Sequence, residues 1–158
     1  MKTPFPKNEC HVPKWFVIDA TGKTLGRLAT EASKLLRGKE TTLYTPGVNQ
    51  GNFVVVLNAG KIIVTGKKSL NKLYFRNSQR PGSLKKESFK ELKARIPARI
   101  IERAIWGMLP KGVLGREYYR NLYVYSNSTI CYKRAKGEAS TLISLSSLKE
   151  SNWLIKNF

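Results

Sequence analysis

Acidic residues are scarce in this chain. Its 158 residues hold 10 Asp and Glu against 29 Lys and Arg, a formal net charge of +19. Asp19 is the only aspartate, and no acid lies between Glu40 and Glu87. An even spread would put about three acids in that window. It holds instead eight cations: Lys61, Lys67, Lys68, Lys72, Arg76, Arg80, Lys85 and Lys86. A surplus of this size repels itself in the folded state unless a polyanion neutralises it. One lysine cluster is ordinarily a solvated face. A whole folded chain this basic points to nucleic acid first and to an anionic membrane surface second.

Other scarcities narrow the chemistry. A single histidine, His11, excludes a two-histidine metal site and argues against His-based catalysis. Two cysteines, Cys10 and Cys131, form neither a disulfide framework nor a CxxC pair, as expected of ordinary thiols in a reducing compartment. No apolar run approaches the length of a membrane span. The first fourteen residues, "MKTPFPKNECHVPK", lack the apolar stretch of a signal peptide and are short for a transit peptide. Carboxylate pairs for acid–base chemistry are scarce. Asp19 ends an apolar run, where α/β proteins often bind ligands. Its plainer role is to accept hydrogen bonds from the turn that follows. Two glycine-rich stretches come close to phosphate loops and miss. In "ATGKTLGR", a P-loop needs glycine at position 17, where Val17 stands. In "GKIIVTGKKS", Gly60 and Gly66 are one residue too far apart, and Lys68 stands where a magnesium-binding hydroxyl belongs.

What is present reads as one α/β domain with a real core. "WFVID" (15–19) and "FVVVLN" (53–58) read as buried strands, the second apolar throughout as in a strand covered on both faces. Between them Thr24 is placed to cap a helix running to about Arg37. Leu25, Leu28, Ala29, Ala32, Leu35 and Leu36 share one face of it, and Gly38 stops it. Strand, helix, strand in that order implies a parallel pair. "KIIVTG" (61–66) reads as another strand. "SLNKLYFRNSQRPGSLKK" reads as a basic extended excursion outside the core. Phe89, Leu92 and Ile96 make a short apolar stripe. Pro97 opens a second helix that buries Ile100, Ile101, Ala104, Ile105 and Met108 and turns Arg99, Arg103 and Trp106 outward. "REYYRN" suggests a further helical turn and "LYVY" (122–125) a last strand. From Ser126 onward periodicity fades, as in an extension lying on the surface or on a partner.

The segments "WFVIDATGKTLGRLATEASKLLRGK", "VVLNAGKIIVTGKK", "KLYFRNSQRPGSLKKESF", "RIPARIIERAIWGMLPKGVLGR" and "NLYVY" follow one another in order and spacing. Together, over about residues 15 to 125, they resemble the bacterial and organellar form of the universal large-subunit ribosomal protein thirteen family, and the middle segments look most like plastid members. The resemblance implies a three-layer α/β/α fold with a four-stranded parallel sheet. It also implies a non-enzymatic role: binding large-subunit ribosomal RNA (rRNA) during assembly and then holding it in place. Three departures stand out. Asn49 and Asn52 occupy places where the family usually has aspartates, which removes either charge near RNA or a structural cap. The usual HPHxAQ-type ending is replaced by "SNSTICYKRAKGEASTLISLSSLKESNWLIKNF". Trp106 stands where a smaller or basic residue is more usual.

On this reading the chain divides into an N-terminal extension (1–14), an α/β rRNA-binding domain (15–125) and a C-terminal extension (126–158). The expected RNA-contacting residues are the eight cations of the acid-free window with Arg99, Arg103, Lys111, Arg116, Arg120, Lys133, Arg134 and Lys136. Cations neutralise phosphates and release counterions, and unpaired bases are captured by stacking. In "MLPKGVLGREYYRNLYVY", Pro and Gly punctuation suggests a helix end, a basic loop that approaches RNA closely and a return strand. The expected partners are large-subunit rRNA and neighbouring ribosomal proteins, with no membrane, cofactor or metal. The expected setting is a ribosome in the plastid (chloroplast) stroma, with the mitochondrion or a bacterial cytoplasm as alternatives. A small nucleotide-binding or nucleic-acid-modifying α/β enzyme is the competing reading, and a basic protein bound peripherally to an anionic membrane is a third.

Overall fold

Trp15–Asp19 (β1) and Phe53–Leu57 (β2) pair in parallel with residue-for-residue register from Trp15↔Phe53 to Asp19↔Leu57. In the computed structural model that gives this structure, residues 13–42 and 44–128 are described, together with three short strands at 130–132, 141–143 and 154–156. The expected strands at 15–19 and 53–58 are therefore present, the second ending at Leu57. Leu122–Val124 (β5) lies parallel on the other side of β2, giving a parallel sheet in the order β5-β2-β1. Leu154–Lys156 (β8) runs parallel along the free edge of β1, pairing Phe16 with Leu154.

Alternation along the strands sends Phe16, Ile18, Val54 and Val56 to one face. These residues join the core that also holds the buried faces of four helices: Leu25–Leu36 (α1), Phe89–Arg95 (α3), Pro97–Met108 (α4) and Val113–Arg120 (α5). Helix α1 buries the residues its periodicity predicts. Gly38, just past its end, has φ +71, and a Cβ there would collide with the Gln50 side chain. Thr24 stands at the N-cap position, but its side chain makes no capping hydrogen bond. These four helices thus lie against one face. The opposite face carries the buried Val17 and Val55 and a row of stacked rings, Trp15 on Phe53 at 4.3 Å and Trp15 on Tyr123 at 6.0 Å. The second helical layer of the expected three-layer fold is not among the described residues.

Residues 61–66 do not form the expected strand. Asn58 adopts a left-handed backbone (φ 58), and Ala59–Lys61 close into a 3₁₀ turn that takes the chain out of the sheet. The segment instead meets the turn before α1: Ile63 N–H donates to Lys23 O, and Leu25 N–H donates to Ile63 O, both at 3.0 Å. The basic excursion is ordered. It contains a short helix, Lys68–Asn71 (α2), then an antiparallel ribbon of Leu73–Arg76 (β3) and Lys85–Ser88 (β4). The ribbon runs straight into α3 through a capping box. Ser88 Oγ accepts from Glu91 N–H, and Glu91 returns a bond to Ser88 N–H. This satisfies two orphan helix donors at once.

The segment 108–125 also differs from expectation. Its loop is only residues 109–112, and a full helix, α5, fills the space assigned to a basic loop. Gly115 is buried inside that helix, where any Cβ would strike the Pro110 carbonyl. Helix α4 buries Ile100, Ile101 and Ile105, while Ala104 is half-buried. Met108, expected in the core, is exposed at the helix end, with its sulfur 3.6 Å from the Thr30 hydroxyl. After β5 come Ile130–Tyr132 (β6) and Thr141–Ile143 (β7), paired antiparallel. The extension from Ser126, where periodicity fades, therefore contains strands, β8 among them.

Candidate nucleic-acid interface

The cations of the acid-free window do not scatter evenly. Arg76 and Lys85 from the β3–β4 ribbon, Arg95 from α3, and Arg99 and Arg103 from α4 line a single groove of about 340 Å³, bordered by Phe75 and Lys86. Two local rules place them. Arg99 and Arg103 are four apart in α4 and share one face. Arg76 and Lys85 are directly opposite in the ribbon register. The groove has one carboxylate, Glu87, and Arg95 occupies it with two hydrogen bonds, Nε to Oε1 at 2.9 Å and Nη2 to Oε2 at 2.7 Å. This bond from Arg95 holds the Glu87 carboxyl below its ordinary range. Arg99 and Arg103 feel the same carboxylate at longer range, so one acid stands against all the groove cations. Tyr74 forms an inner wall, with Arg103 5.5 Å and Lys72 5.6 Å from its ring centre. Burial raises the Tyr74 hydroxyl pKa against the opposing pull of Arg103, so the ring stays neutral.

The remaining expected contacts fall in several places. Lys68 and Lys72 line an adjoining cleft with Thr65, Ala104 and Met108, and Lys67 precedes them as the N-cap of α2. Arg80 is exposed in the turn joining the ribbon strands, and Lys61 is exposed in the 3₁₀ turn. Arg116 and Arg120 are exposed one turn apart on α5. Lys111 is folded back: its Nζ donates to Trp106 O at 2.7 Å and lies 5.0 Å from the indole centre. Trp106 is half-buried, edge-on to Tyr119 at 5.1 Å, so its ring is packed within the chain at the α4–α5 corner. Lys133, Arg134 and Lys136 lie outside the described residues. Arg95, Tyr74 and Phe75 were not singled out from the sequence. The spacing of Arg95, Arg99 and Arg103, four apart each time, is the signal that pointed to the first.

The two asparagines at the family's aspartate positions act as amides. Asn52 is buried; its Nδ2 donates to Leu35 O and its Oδ1 accepts from Lys14 N–H. Asn49 Oδ1 accepts from Gly51 N–H, and its Nδ2 donates toward Glu117. A carboxylate could make only the accepting bonds. Both side chains thus tie the 49–52 loop to the rest of the chain.

Catalytic geometry is weak by comparison. Asp19 accepts from Thr21 N–H, Thr21 Oγ1 and Asn58 Nδ2, all within 3.0 Å. Burial alone would raise its pKa, but these bonds and nearby Lys23 outweigh that and lower it. A cleft of about 450 Å³ opens beside the α1 N-terminus, and its single carboxylate, Glu31, faces Lys34 at 3.3 Å. That leaves no acid–base pair in it. Among the described residues no cluster of His, Cys, Asp and Glu could hold a metal, and no helix is long and apolar enough to cross a membrane.

Comparison with known proteins agrees with the resemblance. Residues 13–130 match the family model described as ribosomal protein L13. The large ribosomal subunit protein uL13 of Gloeothece citriformis (strain PCC 7424) is 50% identical over 141 residues, covering 89% of this chain and 93% of that protein. The uL13 protein of Picosynechococcus sp. is 49% identical over 142 residues, covering 90% and 94%. That of Microcystis aeruginosa is 53% identical over 127 residues, covering 80% and 84%.

Proposed function

The chain belongs to the ribosomal protein L13 family, and from that membership we propose that it binds large-subunit rRNA through the groove between the β3–β4 ribbon and helices α3 and α4. It is a structural constituent of the large ribosomal subunit and not an enzyme. The observation that supports the RNA site is positive charge in excess of its partners. Arg76, Lys85, Arg99 and Arg103 converge where the sole carboxylate is already taken by Arg95. Such a groove is costly for a free protein and favourable once phosphates fill it. Lys67, Lys68, Lys72, Arg80 and Lys86 extend the same basic surface. Lys61, Arg116, Arg120 and the 133–136 cluster extend it to other parts of the RNA, and neighbouring ribosomal proteins cover what RNA leaves.

In this reading residues 15–125 are the rRNA-binding domain, with 1–14 and 126–158 as extensions. The fold is the family's three-layer form, and β8 completes a four-stranded parallel sheet. The ribosome concerned is of the cyanobacterial type found in bacterial cytoplasm and in plastids, and the plastid is the setting we favour because the relatives are cyanobacterial. Sucrose gradients test the function. The protein should cosediment with large subunits and leave that fraction after RNA digestion. Sedimentation that survives digestion, or nucleotide turnover by the purified chain, would count against it.

A further inference from the structure

The β3–β4 ribbon has a second face, which meets the groove only where Phe75 and Lys86 border it. Alternate residues of a strand point to opposite sides. Tyr74 and Glu87, directly paired, both turn toward the helices, where Arg103 covers the tyrosine ring and Arg95 holds the carboxylate. The next pair, Phe75 and Lys86, must therefore turn away. Phe75 is 54% exposed, and Leu73, two residues earlier on the same face, is 48% exposed. Leu84, just before β4, is 53% exposed. Large apolar side chains are not left together on a free strand pair without a partner to cover them.

We propose that Phe75 is a stacking platform for an unpaired RNA base, so that the ribbon grips a single-stranded or bulged segment with phosphates on its inner face and a base on its outer face. The proposal rests on the RNA-binding reading above and adds the class of RNA recognised. Charge decides between occupants. Phe75 sits opposite Lys86 in the ribbon register, and the acid-free stretch of sequence that contains it would set an apolar protein partner against several cations. A nucleotide supplies both complements at once, a flat π-face and an anion. A fully paired A-form helix supplies the anion but keeps its bases stacked inside and offers no base face to the ring.

The test uses the full chain and two RNAs with equal numbers of phosphates. One is a continuous duplex, and the other a hairpin whose loop contains the fluorescent base 2-aminopurine. The loop RNA should bind roughly tenfold tighter, within the range known for single base–aromatic stacks, and its fluorescence should be quenched on binding. Phe75→Leu should abolish the preference and the quenching while leaving the salt dependence of binding unchanged. Phe75→Trp should retain both. Because the ring is exposed, neither variant should alter the thermal midpoint, which checks folding. Equal affinity for the two RNAs, or a loop preference untouched by Phe75→Leu, overturns the stacking proposal and leaves RNA binding standing. Failure to bind either RNA overturns both. If Phe75→Leu weakens incorporation into the subunit without changing RNA binding, the occupant is a protein and the proposal fails.

Discussion

Strands β1 and β2 and strands β3 and β4 are similar in length and opposite in chemistry. The first pair is Val- and Ile-rich, parallel and buried nearly throughout. The second is antiparallel, carries Arg76, Lys85 and Lys86, and exposes Leu73 and Phe75. The central pair is stabilised by burial, worth about 1.5–3 kcal/mol for each fully buried aliphatic side chain. The ribbon has little of that. Its anchors are the Tyr74 ring against Arg103, the Glu87–Arg95 bonds and the capping box into α3. With recognition placed in the ribbon as proposed, stability and recognition lie in different regions, so substitutions should separate the two properties.

The largest effect is expected in the core. Ile101 is fully buried between α4 and the rest of the cluster. Ile101→Ala should cost about 2–5 kcal/mol in urea unfolding, while the molecules that remain folded bind RNA with an unchanged salt slope. A changed slope would mean that core and groove are not separable. A smaller loss is expected at the junction of the two regions. Ser88→Ala removes half of the capping box and should cost about 1 kcal/mol, again without changing the slope. Loss of RNA binding out of proportion to that destabilisation would show that the ribbon's orientation depends on this cap.

The smallest effect is a titration. The Arg95 bonds hold Glu87 below its ordinary 4.5. A depressed carboxyl contributes stability above about 4.5, and the contribution is lost as pH falls through the lower folded value. Glu87 is only half-buried and Arg95 is exposed, so the stability change is small. The midpoint itself is measurable by NMR: it should lie below 4.5 and rise in Arg95→Ala. An unshifted midpoint would remove the ion pair from the account and add Arg95 to the free groove cations.

Elements with one dominant period were legible in the sequence. The alternating and continuous apolar runs at 15–19 and 53–57 and the helical stripes in α1 and α4 are set by burial, which periodicity records directly. Residues 61–66 were misread because "KIIVTG" has strand composition, while the turn at Asn58 and pairing with Lys23 are tertiary facts. Helix α5 is legible only in its second half, as the helical turn expected at "REYYRN", because Gly112 and Gly115 mask its start. Composition reads glycine as loop, but Gly115 is required by close packing on Pro110. The cations of the groove were all visible except Arg95, yet their convergence was not. It depends on the ribbon folding back along α3 and α4, which no local pattern encodes. Lys111 and Trp106 show the reverse, since a cation and an aromatic that looked available are packed on each other.

The central claim is that recognition resides in this groove and not in the overall charge. The direct test compares two triple variants, Arg76→Gln/Lys85→Gln/Arg99→Gln in the groove and Arg27→Gln/Lys34→Gln/Lys39→Gln on the exposed surface of α1 and just beyond it, for binding to a large-subunit rRNA fragment across a range of salt. Both remove three charges. The groove variant should flatten the log–log salt slope by roughly two to three units, and the α1 variant should leave it nearly unchanged. Equal flattening in both would contradict the account and make the binding a property of net charge alone.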